Sequence, residues 1–170
     1  MSKLELANKG KLVYQEPTSF HLIDAANENS LLVSFSIPSQ VTFDELRFDL
    51  GIDSLTNVSG AMGGDLDPTK GMYWTWQNGY INFKIEGKSK FCKSRNHQFQ
   101  FHLGGYQYPF STVRHLHFEV ASSDNMTLKV DVKKLLDEID LSQQDHVVSP
   151  GKPAVLLSEK LGQIFSIEKQ

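Results

Sequence analysis

The chain has 170 residues, 39% of them hydrophobic and 22% charged, which suits one globular domain with a sizeable core. Its formal net charge of −3 argues against nucleic acid or an anionic membrane as the main partner, because either calls for a basic surface. No apolar run approaches the roughly 20 residues that span a bilayer, Met1 to Leu6 lacks the apolar core of a signal peptide, and one cysteine, Cys92, excludes an internal disulfide.

Lys3 to Tyr14 reads as a short strand pair around Asn8-Lys9-Gly10, followed by a turn at Pro17 and a brief strand through Phe20, Leu22 and Ile23. After a polar loop from Asp24 to Ser30, Leu31 to Ile37 alternates apolar and small residues, so it reads as a half-buried strand stopped by Pro38. Phe43 to Ile52 obeys the same rule: Leu46, Phe48, Leu50 and Ile52 point inward while Glu45, Arg47 and Asp49 point outward. Asp53 to Gly71 is glycine-rich, weakly periodic and long, which is the pattern of a functional or unstructured loop.

Gly71 to Gly87 holds both tryptophans and the dipeptide Asn78-Gly79, the strongest short hairpin signal. A two-residue turn there pairs Trp76 with Ile81 and Trp74 with Phe83, and puts Met72, Trp74, Trp76, Ile81, Phe83 and Ile85 on one face; the rival reading is one long strand with a bulge at Gly79. A basic loop with Lys88, Lys90, Lys93 and Arg95 follows. Three alternating segments come next: Gln98 to Leu103, Val113 to Val120, and Thr127 to Val132. Val132 to Leu141 has its apolar residues at helical spacing, and the turn Ser149 to Pro153 precedes a last apolar segment, Ala154 to Phe165. The expectation is a single all-β domain over residues 1–170, an antiparallel β-sandwich with one short helix near Val132 to Leu141.

Histidines dominate the candidate chemistry. His102 stands on the polar face of an otherwise apolar strand, beside a glycine pair that lets another backbone approach, so it is the leading metal-ligand candidate. His115 and His117 are two apart on a strand and share a face, and His21 lies between two apolar residues. Each also has a plainer use as a surface histidine bonded across a sheet. Trp74 and Trp76 are core residues by pattern, or a stacking platform for sugar rings where exposed. Asp53, Asn57, Asp65 and Asp67 could offer oxygens to calcium, although their spacing is not that of an EF-hand and such acids more often make turns. Asn57-Val58-Ser59 and Asn125-Met126-Thr127 fit the N-glycosylation pattern. No nucleophile elbow, phosphate loop or paired-cysteine motif is present, so the residues alone give a β-rich binding domain without a reaction.

The block from Asp53 to Tyr106, with GMYWTWQNGYINFKIEG followed by FQFHLGGY, closely resembles the MbnP-like family of extracytoplasmic copper-binding proteins. SFHLIDAANENS and VSPGKPA resemble it too. The resemblance implies a periplasmic or otherwise extracytoplasmic, non-enzymatic β-sandwich that binds copper and partners a MauG/MbnH-like dihaem enzyme, which oxidises one tryptophan to kynurenine. It also implies a leader and further strands ahead of the position of Leu4, which this chain is expected to lack. Carried over by residue, the modified tryptophan is Trp74 or Trp76, and the imidazole ligands are His102 and then His21, with Cys92 and Met72 as further soft donors. The alternative from another class is a carbohydrate- or protein-binding sandwich whose tryptophans stay unmodified.

Overall fold

The first reversal of the chain is set by Lys9 and Gly10, which take positive φ of 49° and 76° and form the two-residue turn that suits the twist of antiparallel strands. The structure is a computed structural model describing residues 1–123 and 125–168. In chain order its elements are β1 (Ser2–Asn8), β2 (Lys11–Gln15), β3 (Glu45–Leu50), α1 (Ser54–Val58), β4 (Tyr73–Trp74), β5 (Gly79–Lys88), β6 (Gln98–Gly104), β7 (Arg114–Glu119), β8 (Leu128–Val130), α2 (Val132–Asp137), β9 (His146–Val147), α3 (Lys152–Leu161) and β10 (Phe165–Ile167).

The strands form one sheet in the order β2-β1-β3-β7, a second in the order β4-β5-β6-β9, and a β10-β8 pair. Every pairing is antiparallel except that of β6 with β9. The fold is all-β and sandwich-like, as the alternating segments predict.

Two apolar clusters carry it. One gathers Phe99, Phe101 and Leu103 of β6 with Leu50, Leu135 of α2, and Ala154, Leu157 and Leu161 of α3. The other gathers Leu4 and Leu6 of β1 with Phe43 and with Leu46 and Phe48 of β3. Leu116 and Phe165 pack against both clusters and so join them.

Four local expectations are corrected. Leu31 to Ile37 forms no strand: a 3-10 turn covers Glu28–Leu31 and the rest is extended without a ladder. Val33, Phe35 and Ile37 still pack on the second cluster, because an extended segment shows alternate residues to one side whether or not it has a strand partner. Phe20 makes only an isolated bridge to Ser2. The segment from Ala154 is a helix rather than unassigned apolar chain: Ala154, Leu157, Ser158 and Leu161 are buried at helical spacing and Pro153 sits in its first turn.

The fourth correction concerns the tryptophan hairpin. Tyr73 pairs with Tyr80 and Trp74 with Gly79, so the turn spans Thr75 to Asn78, and only Asn78, at φ 52°, is left-handed. Trp74 therefore faces Gly79 instead of Phe83, and Trp76 lies in the loop. Tertiary contacts override the local preference. Tyr80 N–H donates to the Asn57 amide oxygen at 2.9 Å, and the Trp74 ring occupies the space above Gly104.

Two buried asparagines fix this arrangement by gripping Ile52 from both sides. Ile52 N–H donates to Asn82 Oδ1 at 3.0 Å, and Ile52 C=O accepts from Asn57 Nδ2 at 2.8 Å. Asn82 Nδ2 continues to the hydroxyl of the fully buried Thr112 at 2.9 Å. Asn57 is only 2% exposed with its amide committed, so in the folded protein its glycosylation pattern is inaccessible. Replacing either amide strands buried backbone groups, so Asn57→Ala and Asn82→Ala are each expected to lower unfolding free energy by roughly 1–3 kcal/mol. Chemical denaturation checks this, with Leu103→Ala, expected to cost about 2–5 kcal/mol, as the core reference.

Candidate functional site

The β5–β6 ladder sorts its residues into two faces. Phe83 opposes Leu103 and Ile85 opposes Phe101 on the core side, while Lys84 opposes His102 and Glu86 opposes Gln100 on the other. His102 Nε2 lies 2.6 Å from Glu86 Oε1, a diagonal contact across the ladder, with the imidazole side chain 16% exposed. The His102 hydrogen bond, opposed by partial burial and aided by Lys84, holds the Glu86 carboxyl below its ordinary range. Glu86 is the only hydrogen-bond partner of the His102 imidazole among the described residues. A carboxylate on one ring nitrogen sets the ring's orientation and leaves the other nitrogen as the available donor.

Gly104 follows His102 by two residues on β6 and so shares its face. A Cβ built on Gly104 would come 2.5 Å from Trp74 Cζ3 and 2.7 Å from the Tyr80 carbonyl oxygen. The Trp74 indole therefore lies on the His102 side of the sheet, over the next position along β6 on that face. Trp74 is 7% exposed and Trp76 66%, and their ring centroids are 5.7 Å apart at a 43° tilt. The hairpin loop borders an open cleft of about 610 Å³ lined by Asn57, Val58, Tyr73, Thr75, Asn78 and Tyr106 among others.

The other sequence candidates lie elsewhere. His21 Nε2 is 2.7 Å from Glu16 Oε2, and no hydrogen bond or ion pair among the described residues links it to His102. His115 and His117 do share the outer face of β7, opposite Asp49 and Arg47 respectively. His115 Nδ1 bonds the buried Asp49 carboxylate, whose second oxygen lies 3.7 Å from the Lys3 ammonium. Cys92 is 2% exposed within the core. Among the described residues, no group of three or more His, Cys, Asp or Glu comes together in a metal-holding arrangement.

In the glycine-rich loop the carboxylates serve as caps and pairs. Asp53 caps α1 at Thr56 N and pairs with Lys3 at 3.0 Å. Asp65 accepts from Leu22 N at 3.0 Å and from Lys70 at 2.7 Å, and Asp67 accepts from Thr69 N at 2.8 Å.

Sequence reasoning marked the glycine pair beside His102 as a place of close approach, which Gly104 is, but missed Glu86 as part of this face. Glu86 could have been found only by knowing that Lys84 opposes His102, and that register depends on an irregularity between Ile81 and Phe83 that no turn residue announces.

An all-β, sandwich-like fold thus carries a buried indole and a carboxylate-held imidazole on one sheet face. Residues 1–152 match the family described as MbnP, and the chain belongs to that family. No curated protein and no solved structure matches it.

Two outcomes are expected. Gly104→Val forces the new side chain into Trp74 and the Tyr80 carbonyl, so Trp74 must leave its place: tryptophan emission shifts to the red and the near-UV dichroism falls, while far-UV dichroism persists. The second concerns acid. Burial pushes the Asp65 and Asp53 carboxyls up, but for Asp65 the Lys70 and Leu22 bonds, and for Asp53 the Thr56 and Lys3 bonds, outweigh it, so both titrate below their ordinary value. A carboxylate whose folded pKa is depressed stabilises the fold fully above its unfolded value near 4, and that contribution is lost as pH falls below it. Lys70→Met should flatten the loss of melting temperature below about pH 4, measured by thermal denaturation across pH.

Proposed function

We propose that this MbnP-family protein is an extracytoplasmic, non-enzymatic copper-binding protein. In it Trp74 is the tryptophan that a MauG/MbnH-like dihaem enzyme oxidises to kynurenine, and the His102 imidazole is a copper ligand. The observation that carries the reading is the Trp74 ring packed on Gly104, on the same sheet face as His102 and two residues along β6. An indole has no lone pair free for a metal. Opening it to kynurenine leaves an aryl amine on the same ring, which supplies a nitrogen donor on the face that already carries the imidazole. Monovalent copper is soft and accepts imidazole, and Glu86 orients that ring from the far nitrogen. Trp76, exposed beside the open cleft, leaves this end of the molecule accessible to an enzyme partner. His21, bonded to Glu16 beside the first sheet, is not part of the proposed set.

A second reading, a carbohydrate- or protein-binding module with unmodified tryptophans, is favoured by the 66% exposure of Trp76. Peptide mass spectrometry and copper analysis of protein made with its native dihaem partner separate the two. The copper reading expects the kynurenine mass on the peptide containing Trp74, bound copper, and loss of that copper in His102→Ala. Unmodified tryptophans without copper overturn it. Glu86→Gln is expected to weaken copper binding by about 10–100-fold while leaving the melting temperature nearly unchanged, as read by competition with a chromophoric chelator.

A further inference from the structure

The far end of the β5–β6 ladder reverses the sign of the molecule. Lys88 ends β5, and Lys90, Lys93 and Arg95 follow in the connecting loop, all four exposed. No Asp or Glu occurs from Gly87 to His97, although the whole chain carries −3. Phe91 stands among these cations at 62% exposure, with Lys90 Nζ 5.3 Å from its ring centroid.

The loop holds this shape by its own backbone. Ser89 N–H donates to His97 C=O at 2.8 Å, Cys92 N–H to Ser89 C=O at 3.0 Å, and His97 N–H to Ser94 C=O at 2.9 Å. Asp145 Oδ2 accepts from Lys93 N at 3.0 Å and Ser94 N at 3.1 Å, and the Cys92 side chain is buried in the core beneath. The acids facing the loop are Asp145, taken by those two amides, and Asp140, which feels Lys93. A prearranged tip loses little conformational freedom on docking.

We propose that this hairpin end docks the protein onto an anionic lipid surface, its cations meeting headgroup phosphates and Phe91 entering the boundary between headgroups and acyl chains. A lone aromatic ringed by long cationic side chains fits a fluid interface, where the ring is buried and the Lys and Arg stems reach back to the phosphates. The net charge of −3, which argues against a membrane as the main partner, is outweighed locally at this tip, since at physiological salt only charges within about 8 Å of the surface count. β5 has 10 residues, roughly 30 Å of strand at its usual rise. Docking by this tip therefore turns the Trp74–Trp76 end away from the membrane, whether or not copper is bound there.

Co-sedimentation of the full chain with vesicles tests it, comparing pure phosphatidylcholine with phosphatidylcholine containing one quarter phosphatidylglycerol. Binding is expected only to the anionic vesicles, falling with added salt and by roughly fivefold for each cation removed, so Lys90→Ala/Lys93→Ala loses about 25-fold. Phe91→Ser should weaken binding with its salt dependence unchanged, and circular dichroism verifies that these exposed changes leave the fold intact. Equal binding to both vesicle types, or variants that bind as well as the parent, overturns the proposal. Retention on immobilised polyglutamate without vesicle binding overturns it too, and points to an acidic polypeptide instead.

Discussion

The arrangement of the candidate site depends on the backbone of one residue, Ile52, held between two buried amides. Asn82 takes its N–H and Asn57 takes its C=O, while Asn57 also accepts from Tyr80 and Asn82 reaches on to Thr112. These side chains replace strand pairing where the first sheet's β3 ends and the second sheet's β5 begins. A buried backbone group without a partner costs far more than an average hydrogen bond yields, so the positions of α1, the start of β5 and the approach to β7 are coupled. Gly51 belongs to the same constraint: its φ of +124° and the Asn82 amide packed 2.5 Å from where a Cβ would stand leave no room for a side chain.

From that anchor the site follows. Because Tyr80 is tied to Asn57, the tryptophan hairpin closes with Trp74 opposite Gly79, and the indole falls over Gly104 instead of joining the Phe83 face. The bulge between Ile81 and Phe83 then brings Lys84 opposite His102, so an imidazole, a carboxylate and a buried indole share one surface. Glu86 and Lys84 balance each other's charge there, and His102 has a carboxylate partner without being buried.

Parity carried much of this into the sequence. The inward sets of β3 and β6 are buried where alternation puts them, and the first strand pair turns at Lys9-Gly10, within the expected Asn8-Lys9-Gly10 stretch. Alternation also gave the side on which Val33, Phe35 and Ile37 pack, although Leu31 of the same set is exposed, but not whether the segment would find a strand partner, since that depends on what runs beside it. Asn78-Gly79 misled for a related reason. A type I′ turn is a preference of about a kilocalorie, and the Asn57–Tyr80 bond together with the Trp74–Gly104 contact outweighs it. α3 was illegible because a short apolar run reads alike in strand and helix until its packing partner, here the β6 side of the core, is known.

The amino-acid sequence by itself determined the all-β class, the inward faces of its main strands and, through the block from Asp53 to Tyr106, the family, because these reside in local alternation and in ordered residue identities. Only the tertiary structure decided which tryptophan is buried beside His102, that Glu86 holds that imidazole, and that His21 lies with the first sheet. Those facts depend on register and on contacts between residues far apart in the chain, and a one-residue bulge is enough to change the face on which every later side chain appears.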